Sequence, residues 1–282
     1  MFSCCFCVVF DYLFILPVLL SMGDAVECFM ACDGRGVFGV ARGDFLIDKL
    51  SGYRELVDRA LAELVMGLDG FKLHPQLKHA LLSPGKRLRP ILVLLSAECA
   101  GGCVENVLQL ALSVELMHAA TLVHDDIIDG DELRRGVPTV HKLWSEDVAI
   151  LAGDALIALS VKLASGYGEE IVRRAADTAL ALCEGEFIDI SARLEGVTEE
   201  LYVDRVRKKS ASLFKLAAEV GALAVGASRD VVEALACFAE NYGVAYQIKD
   251  DLDDVVEGRL LSKKGILPLP LIVLYLSLIH IS

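Results

Sequence analysis

The sequence predicts an all-α protein, built as one helical bundle around a central cavity. Pro is scarce, with seven in 282 residues, and Ala, Leu and Val dominate, which favours helix. Apolar residues recur at spacings of three and four along most of residues 44–275, the period of an amphipathic helix. Two acidic clusters interrupt this apolar pattern instead of lying in polar linkers. Acidic clusters on two long helices fit a bundle that encloses a site better than they fit two separate domains.

The apolar periodicity predicts a series of helices joined by short connections marked by Gly, and no low-complexity linker divides residues 44–275. The predicted helices cover residues 44–68, 88–100, 105–129, 145–166, 169–193, 198–226 and 229–258. Several of them are longer than the average helix of globular proteins. The sequence therefore predicts one domain over residues 44–275.

Both ends of the chain differ from this pattern. Residues 1–43 form an atypical leader, whose apolar stretch from Tyr12 to Leu20 is too short to span a bilayer. No Lys or Arg precedes Arg35, so we interpret the leader as a start codon placed too far upstream, with a divergent membrane-associating leader as the alternative. Residues 276–282 match the translation of a sequencing-adapter end. We therefore expect the natural protein to continue past Tyr275 with C-terminal helices that are missing here.

Charge and cysteine content limit the partners and the compartment. The formal net charge of −13 argues against nucleic acid, because nucleic-acid binding is led by Lys and Arg contacts to phosphates. Nine cysteines are present; Cys4, Cys5 and Cys7 crowd one end of the chain, and the other six form no CxxC pair. Reduced thiols in a cytoplasmic protein are the expectation.

The two acidic clusters share one spacing. His124 is followed by Asp125, Asp126 and Asp129, and the second cluster contains Asp250, Asp251 and Asp254. On a helix, residues i and i+4 share a face, so the first and last Asp of each cluster point the same way. A single acidic run is more often a solvated helix face, but two copies of one spacing with apolar flanks favour a site. Carboxylates that converge repel one another, and oxygen-only ligands favour Mg²⁺ as the compensating ion.

Basic residues provide the second half of the prediction. Lys86, Arg87 and Arg89 lie between a turn and an apolar helix, and Arg134 and Arg135 follow the first acidic cluster. Such runs are commonly only solvated. Here both adjoin elements of the predicted cavity, and Arg and Lys both bind phosphate oxygens. The sequence therefore predicts that two anionic substrates meet between an acidic and a basic surface.

These motifs, taken in order, resemble the trans-isoprenyl diphosphate synthase (polyprenyl synthetase) family. The resemblance covers residues 44–275 and rests on six motifs, each of which is weak alone. They are Gly85-Lys-Arg-Leu-Arg-Pro90, His118 with Leu122-Val-His-Asp-Asp-Ile-Ile-Asp129, Arg134-Arg-Gly136, Gly153-Asp154, Lys209-Ser210 and Tyr246-Gln247-x-x-Asp-Asp-x-x-Asp254. The resemblance implies an isoprenoid synthase-type helical bundle, usually a homodimer, that joins an allylic diphosphate to isopentenyl diphosphate.

The resemblance also implies a role for each matching residue. Mg²⁺ ions on the allylic diphosphate would be held by Asp125, Asp126, Asp129, Asp250, Asp251 and Asp254. Arg134 would contact the same diphosphate, and Lys209 and Gln247 would contact it and the region of the reacting carbon. Isopentenyl diphosphate would be bound by Lys86, Arg89, His118 and Arg135. The predicted catalytic set is Asp125, Asp129, Lys209, Gln247 and Asp250. After Asp254 the chain departs from the family pattern, and Lys263 or Lys264 stands where the family has a basic contact.

Residues upstream of Asp125 predict the length of the product. Thr121, Ala120 and Met117 stand four, five and eight residues before it, and one helical turn rises about 5.4 Å, on the order of one isoprene unit. An aromatic side chain at 120 or 121 would close the cavity early. Small side chains at both positions predict geranylgeranyl or longer products, with Met117 as a lower floor.

Two other functions stay open at this point. A noncatalytic subunit of a heteromeric synthase would be expected to have lost Asp residues, yet both acidic clusters are intact. A terpene cyclase-like enzyme would need no basic pocket for isopentenyl diphosphate. We expect a membrane to be only the destination of the product.

Overall fold

The computed structural model describes residues 43–191 and 198–256. Within these residues the fold is all-α apart from one two-residue β-ladder, which confirms the predicted fold class. The predictions for residues 1–42 and 276–282, and for Lys263 and Lys264, lie outside the described residues.

The helices of the described part follow one another with short connections. They are α1 (Gly43–Met66), α2 (His74–Leu82), α3 (Leu88–Cys99), α4 (Leu108–Asp129), α5 (Val140–Leu143), α6 (Glu146–Ala164), α7 (Glu169–Ser191), α8 (Glu199–Val206), α9 (Ser212–Ala224) and α10 (Arg229–Val256). Strands β1 (Leu133–Arg134) and β2 (Val137–Pro138) pair antiparallel after α4. A π-helical turn, Arg207–Ala211, joins α8 to α9.

Three features differ from the sequence prediction. Helix α2 was expected to be part of a connection, but its Pro75 lies in the first turn, where the missing N–H costs nothing. The β1–β2 hairpin was not predicted, because two residues per strand are too few to show an alternating pattern. The predicted helix 198–226 is interrupted by the π-helical turn. The other predicted helices match within a few residues at each end.

Helix α4 is the centre of the bundle. Its buried residues lie all around the helix and include Leu112, Leu116, Ala120 and Val123. A helix that is apolar on every side belongs inside a bundle. It packs mainly against α6, while α9 packs against α3 and α10. The first acidic cluster therefore lies at the end of the most buried helix, where the surrounding helices fix its position.

The end of α4 sets the path of the hairpin. Gly130 adopts a left-handed conformation with φ of 72°, and its N–H closes the last helical turn. Thr139 then donates its hydroxyl to the carbonyl of Asp131 at 2.8 Å, and His79 of α2 donates Nε2 to the carbonyl of Pro138 at 2.8 Å. These contacts hold the hairpin, with its two arginines, beside the C-terminal end of α4.

Candidate active site

A cavity of about 700 Å³ lies between α4, α7, the π-helical turn and α10. Most of the residues predicted for the site line it: Arg89, Met117, His118, Thr121, Asp125, Asp129, Arg134, Arg135, Lys209, Gln247, Asp250, Asp251 and Asp254. Lys86 and Asp126 line a smaller pocket of about 90 Å³ that shares residues with it. Ala120 lines neither pocket and is fully buried in the core. Phe187 of the neighbouring helix α7 also lines the cavity and is 66% exposed.

The acidic side of the cavity begins on α4. Asp125 and Asp129 are one turn apart and both line the cavity, as their spacing predicts. Burial, followed by the charge of Asp125, raises the pKa of Asp129. Asp126 turns away from this face and accepts a hydrogen bond from Arg134 Nε at 2.5 Å. Burial raises the pKa of Asp126 to about 6 although Arg134 opposes the shift.

The second acidic cluster faces the same cavity from α10. Asp250 and Asp254 are one turn apart and line the cavity. Burial raises the pKa of Asp250 in spite of nearby Lys86 and Lys249. Asp251 is held by the protein: Tyr202 donates its hydroxyl to Oδ2 and Gln247 donates Nε2 to Oδ1, each at 2.7 Å.

Helix α7 contributes two carboxylates that sequence reasoning missed. Glu186 and Asp189 line the cavity beside the acidic end of α4. Burial raises the pKa of Glu186, and the charge of Asp125 adds to the effect. The signal was a group of three carboxylates, Glu184, Glu186 and Asp189, in the predicted helix 169–193, and alone it is weaker than a repeated Asp-Asp-x-x-Asp spacing.

Lys209 is the cation at the centre of these carboxylates. Its Nζ lies 3.1 Å from Asp125 Oδ1, 2.8 Å from Glu186 Oε2 and 2.7 Å from Asp189 Oδ2. Burial alone lowers the pKa of Lys209, but Asp125 and Asp189 outweigh it and raise that pKa. The ammonium group therefore stays charged and offsets part of the repulsion between α4 and α7.

The π-helical turn places Lys209 in this position. Such turns occur mostly as single insertions in α-helices, frequently at functional sites. Here the turn packs closely on Gly185 of α7, where an added Cβ would lie 2.4 Å from the backbone nitrogen of Lys209. On the other side Gly243 of α10 lies against Ala211. The two glycines let three elements meet closely enough for one lysine to reach acidic residues on two helices.

The basic side of the cavity is formed by the loop before α3, by α4 and by the hairpin. Arg89 Nη1 donates to His118 Nε2 at 3.0 Å, which makes this histidine nitrogen an acceptor. Burial, with Arg89 next, holds the pKa of His118 well below its usual value. His118 is therefore neutral and carries its proton on Nδ1. Arg135 Nη1 donates to the carbonyl of Pro84 at 2.6 Å and ties the hairpin to the loop.

Arg87 is buried, unlike Lys86, and it anchors the loop. Its Nε donates to Asp58 and its Nη1 to Glu115, each at 2.8 Å, and its Nη2 donates to the carbonyls of Leu81 and Ser83. Its backbone is left-handed, with φ of 54°. Non-Gly residues rarely adopt this conformation, and strained residues of this kind cluster at functional sites. The buried Arg87–Glu115 pair therefore fixes the loop that carries Lys86 and the start of α3, which carries Arg89.

The donor set of the acidic side fits Mg²⁺. All donors are carboxylate oxygens, the ligands that Mg²⁺ prefers. Asp125 Oδ1 and Glu186 Oε1 are buried and receive no hydrogen bond from the described residues, although Lys209 is near the former. Within the same residues, no three His, Cys, Asp or Glu side chains converge closely enough to hold a metal by themselves. Mg²⁺ is commonly bound by one or two carboxylates, and water and phosphate complete its shell.

The cavity of this all-α bundle has one acidic and one basic side, an arrangement suited to an enzyme that binds anionic substrates. Residues 72–266 match the polyprenyl synthetase family. The chain belongs to this family of trans-prenyltransferases, as the sequence motifs predicted.

Individual relatives agree with this assignment. The chain is 38% identical to a geranylgeranyl diphosphate synthase of Methanosarcina mazei over 217 residues, which are 74% of this chain and 67% of the relative. It is 36% identical to a geranylfarnesyl diphosphate synthase of the same organism over 216 residues, 76% of this chain and 73% of the relative. Among solved structures, the geranylgeranyl pyrophosphate synthetase from Geoglobus acetivorans superposes with a TM-score of 0.74 at 35% identity, covering 81% of this chain and 76% of the other.

The buried contacts of Arg87 predict that its replacement lowers the free energy of unfolding. Arg87→Met would leave Glu115 buried without its cation, a change that typically costs about 3–5 kcal/mol. Arg54→Met is the matched control, because Arg54 pairs with the same Asp58 from an exposed position at 3.7 Å, and such pairs contribute about 0–1 kcal/mol. Urea unfolding measures both free energies. Equal losses in the two variants would contradict the anchoring role of Arg87.

Proposed function

We propose that the protein condenses an allylic diphosphate with isopentenyl diphosphate, head to tail, to give a trans-polyprenyl diphosphate of geranylgeranyl length or longer. One observation carries the proposal: an acidic side with Asp125, Asp129, Asp250 and Asp254 faces a basic side with Arg89 and Arg135 in the same cavity. One substrate diphosphate needs cations between it and the carboxylates. The other is bound by the guanidinium and ammonium groups directly.

On the acidic side, the proposed task is to make the diphosphate a good leaving group. Mg²⁺ held by Asp125, Asp129, Asp250 and Asp254 would supply Lewis-acid stabilisation of the negative charge that develops on the diphosphate. Lys209, already charged among these carboxylates, and Arg134, which reaches Asp125 and Asp126, are positioned to add direct contacts to the diphosphate oxygens. Preorganised charges of this kind are the largest contribution to many enzymatic rate enhancements.

On the basic side, the proposed task is to hold isopentenyl diphosphate with its double bond towards the allylic carbon. Lys86 extends from the anchored loop, with its Nζ 5.3 Å from the centre of the Tyr246 ring. Arg89 stacks 4.3 Å from the centre of the Phe214 ring, which fixes its guanidinium plane. Neutral His118 leaves the charge of this pocket to the arginines and the lysine. No metal is needed here.

The bond changes then follow. The allylic C–O bond breaks, diphosphate leaves with the electron pair, and the double bond of isopentenyl diphosphate attacks the allylic carbocation. The new cation loses a proton to the released diphosphate, and the product is one isoprene unit longer. Gln247 lies beside the cavity with its amide fixed, because Ser210 donates to its Oε1 and its Nε2 donates to Asp251, each at 2.7 Å.

A homodimer in the cytoplasm is part of the proposal. Helices α6 and α7 expose large apolar side chains, among them Leu151, Val161 and Leu180 at 54%, 43% and 66%. Helix α6 is apolar enough to cross a membrane by length and composition, as is the segment Val104–Asp129 that contains α4, although the latter is mostly buried in the bundle. We propose that a second copy of the chain covers this exposed apolar face, so that it forms an interface between subunits rather than a membrane span.

The reaction test is the release of pyrophosphate from geranyl or farnesyl diphosphate in Mg²⁺, with and without isopentenyl diphosphate. We expect release and chain growth only with both substrates, and loss of both in EDTA. Asp125→Asn should lower the rate by at least about 10²-fold, because removing preorganised charge stabilisation costs this much. Asp253→Asn is the control, since Asp253 pairs with Lys249 and does not line the cavity.

Two other outcomes of this test would indicate a different function. Release without isopentenyl diphosphate would favour a terpene cyclase-like ionisation enzyme. Activity that appears only after a second synthase subunit is added would favour a noncatalytic or heteromeric role.

Product length gives a separate prediction. Thr121 lines the cavity, whereas Ala120 is fully buried, so Thr121→Phe narrows the cavity while Ala120→Phe overpacks the core. We expect Thr121→Phe to shorten the product by at least one isoprene unit, as chromatography of the dephosphorylated chains will measure. Thr121→Val is the volume-matched control and should leave the product length unchanged. An unchanged product with Phe at 121 would contradict the position of the growing chain.

A further inference from the structure

Arg205 is a buried cation in the cavity that the proposed reaction does not use. It lies near the end of α8, just before the π-helical turn, and its side chain is 9% exposed. Its guanidinium carbon lies 5.1 Å from the centre of the Tyr202 ring. A guanidinium withdrawn this far from water needs partners that offset the cost of desolvation.

The partners of Arg205 are carboxylates from two different helices. Nη1 donates to Asp189 Oδ1 of α7 at 3.2 Å, and Nη2 donates to Asp251 Oδ2 of α10 at 3.4 Å. One planar fork therefore bridges the two helices that close the acidic side of the cavity. Arginine suits this bridge because its donors are fixed in a plane, whereas the ammonium of lysine is a single point charge.

Each bridged carboxylate uses its other oxygen to hold a predicted site residue. Asp189 Oδ2 lies 2.7 Å from Lys209 Nζ, and Asp251 Oδ1 accepts from Gln247 Nε2 at 2.7 Å. The contacts form one continuous series, from Lys209 through Asp189, Arg205 and Asp251 to Gln247. Because the two ends belong to different elements, the series couples the position of one end to that of the other.

We propose that Arg205 is a positioning residue that holds Lys209 and Gln247 in register across the cavity, so that both meet the allylic diphosphate. In this arrangement Asp251 is an anchor held by Tyr202, Arg205 and Gln247, and the cations are left to Asp250 and Asp254 on α10. The proposal rests on the proposed function for the identity of the substrate.

The test compares Arg205→Lys and Arg205→Met with the control Arg207→Met. Arg207 is exposed in the adjacent turn and does not line the cavity. For both Arg205 variants we expect kcat/KM for the allylic diphosphate to fall at least tenfold while KM for isopentenyl diphosphate stays within threefold, because Arg205 contacts only the acidic side. In Arg207→Met, kcat/KM for the allylic diphosphate and KM for isopentenyl diphosphate should both stay within twofold of the wild-type values. The proposal would be overturned if the kinetic constants for both substrates worsened equally. It would also be overturned if Arg205→Lys had the kinetic constants of the wild type.

A second measurement needs no catalysis and separates this proposal from the proposed function. Thermal unfolding in EDTA, without substrate, is measured for Arg205→Met, Asp251→Asn and the double variant. We expect the losses in Tm not to add, because each single change breaks the same contact. Additive losses in Tm would overturn the proposed coupling through Arg205, even if the wild type is an active synthase. If the losses in Tm of the variants do not add, but the wild-type protein shows no condensation activity, only the proposed function is refuted. If Arg205→Met does not fold, Arg205→Lys takes its place in both measurements.

Discussion

Repulsion between carboxylates in one partly enclosed cavity is the constraint on which the rest of the site depends. Three helices bring acidic side chains to this cavity: Asp125 and Asp129 from α4, Glu186 and Asp189 from α7, and Asp250 and Asp254 from α10. Burial raises the pKa of Asp129, Glu186 and Asp250, so their charged forms are disfavoured unless further cations join them. The carboxylates of the cavity therefore need further cations, and a bound diphosphate can share these cations with them.

The cations that the protein does supply explain several local features of the backbone. Lys209 and Arg205 flank the start of the π-helical turn, and Gly185 allows α7 to approach it. On the opposite side, Arg87 and Arg135 hold left-handed conformations where the loop and the hairpin meet, each with φ of 54°. The two non-glycine residues with left-handed backbone in the described chain, and its π-helical turn, thus lie beside the charged groups of the site, and the regular helices supply the fixed frame.

The helices and site residues that depend on a local sequence pattern were predicted from the sequence. The helical period placed α4 and α10, and the repeated Asp-Asp-x-x-Asp spacing identified Asp125 and Asp250 as cavity residues, where the structure has them. What it missed depends on contacts between distant segments. Arg87 is indistinguishable from its basic neighbours until Glu115 and Asp58 are seen beside it, and Arg205 has meaning only when α7 and α10 converge. The π-helical turn left no periodic signal, because one inserted residue in a polar stretch hardly shifts the pattern.

The central claim is that one cavity holds two diphosphates by different means, one through metal and one without. The most direct test is titration calorimetry of isopentenyl diphosphate and of a non-reacting allylic thiolodiphosphate, each in Mg²⁺ and in EDTA. We predict that EDTA weakens binding of the allylic analogue at least tenfold and leaves binding of isopentenyl diphosphate within about twofold, a difference of at least about 1 kcal/mol. Binding of both ligands that depends equally on Mg²⁺, or binding of both that is indifferent to it, would show that the two diphosphates are not held by different means.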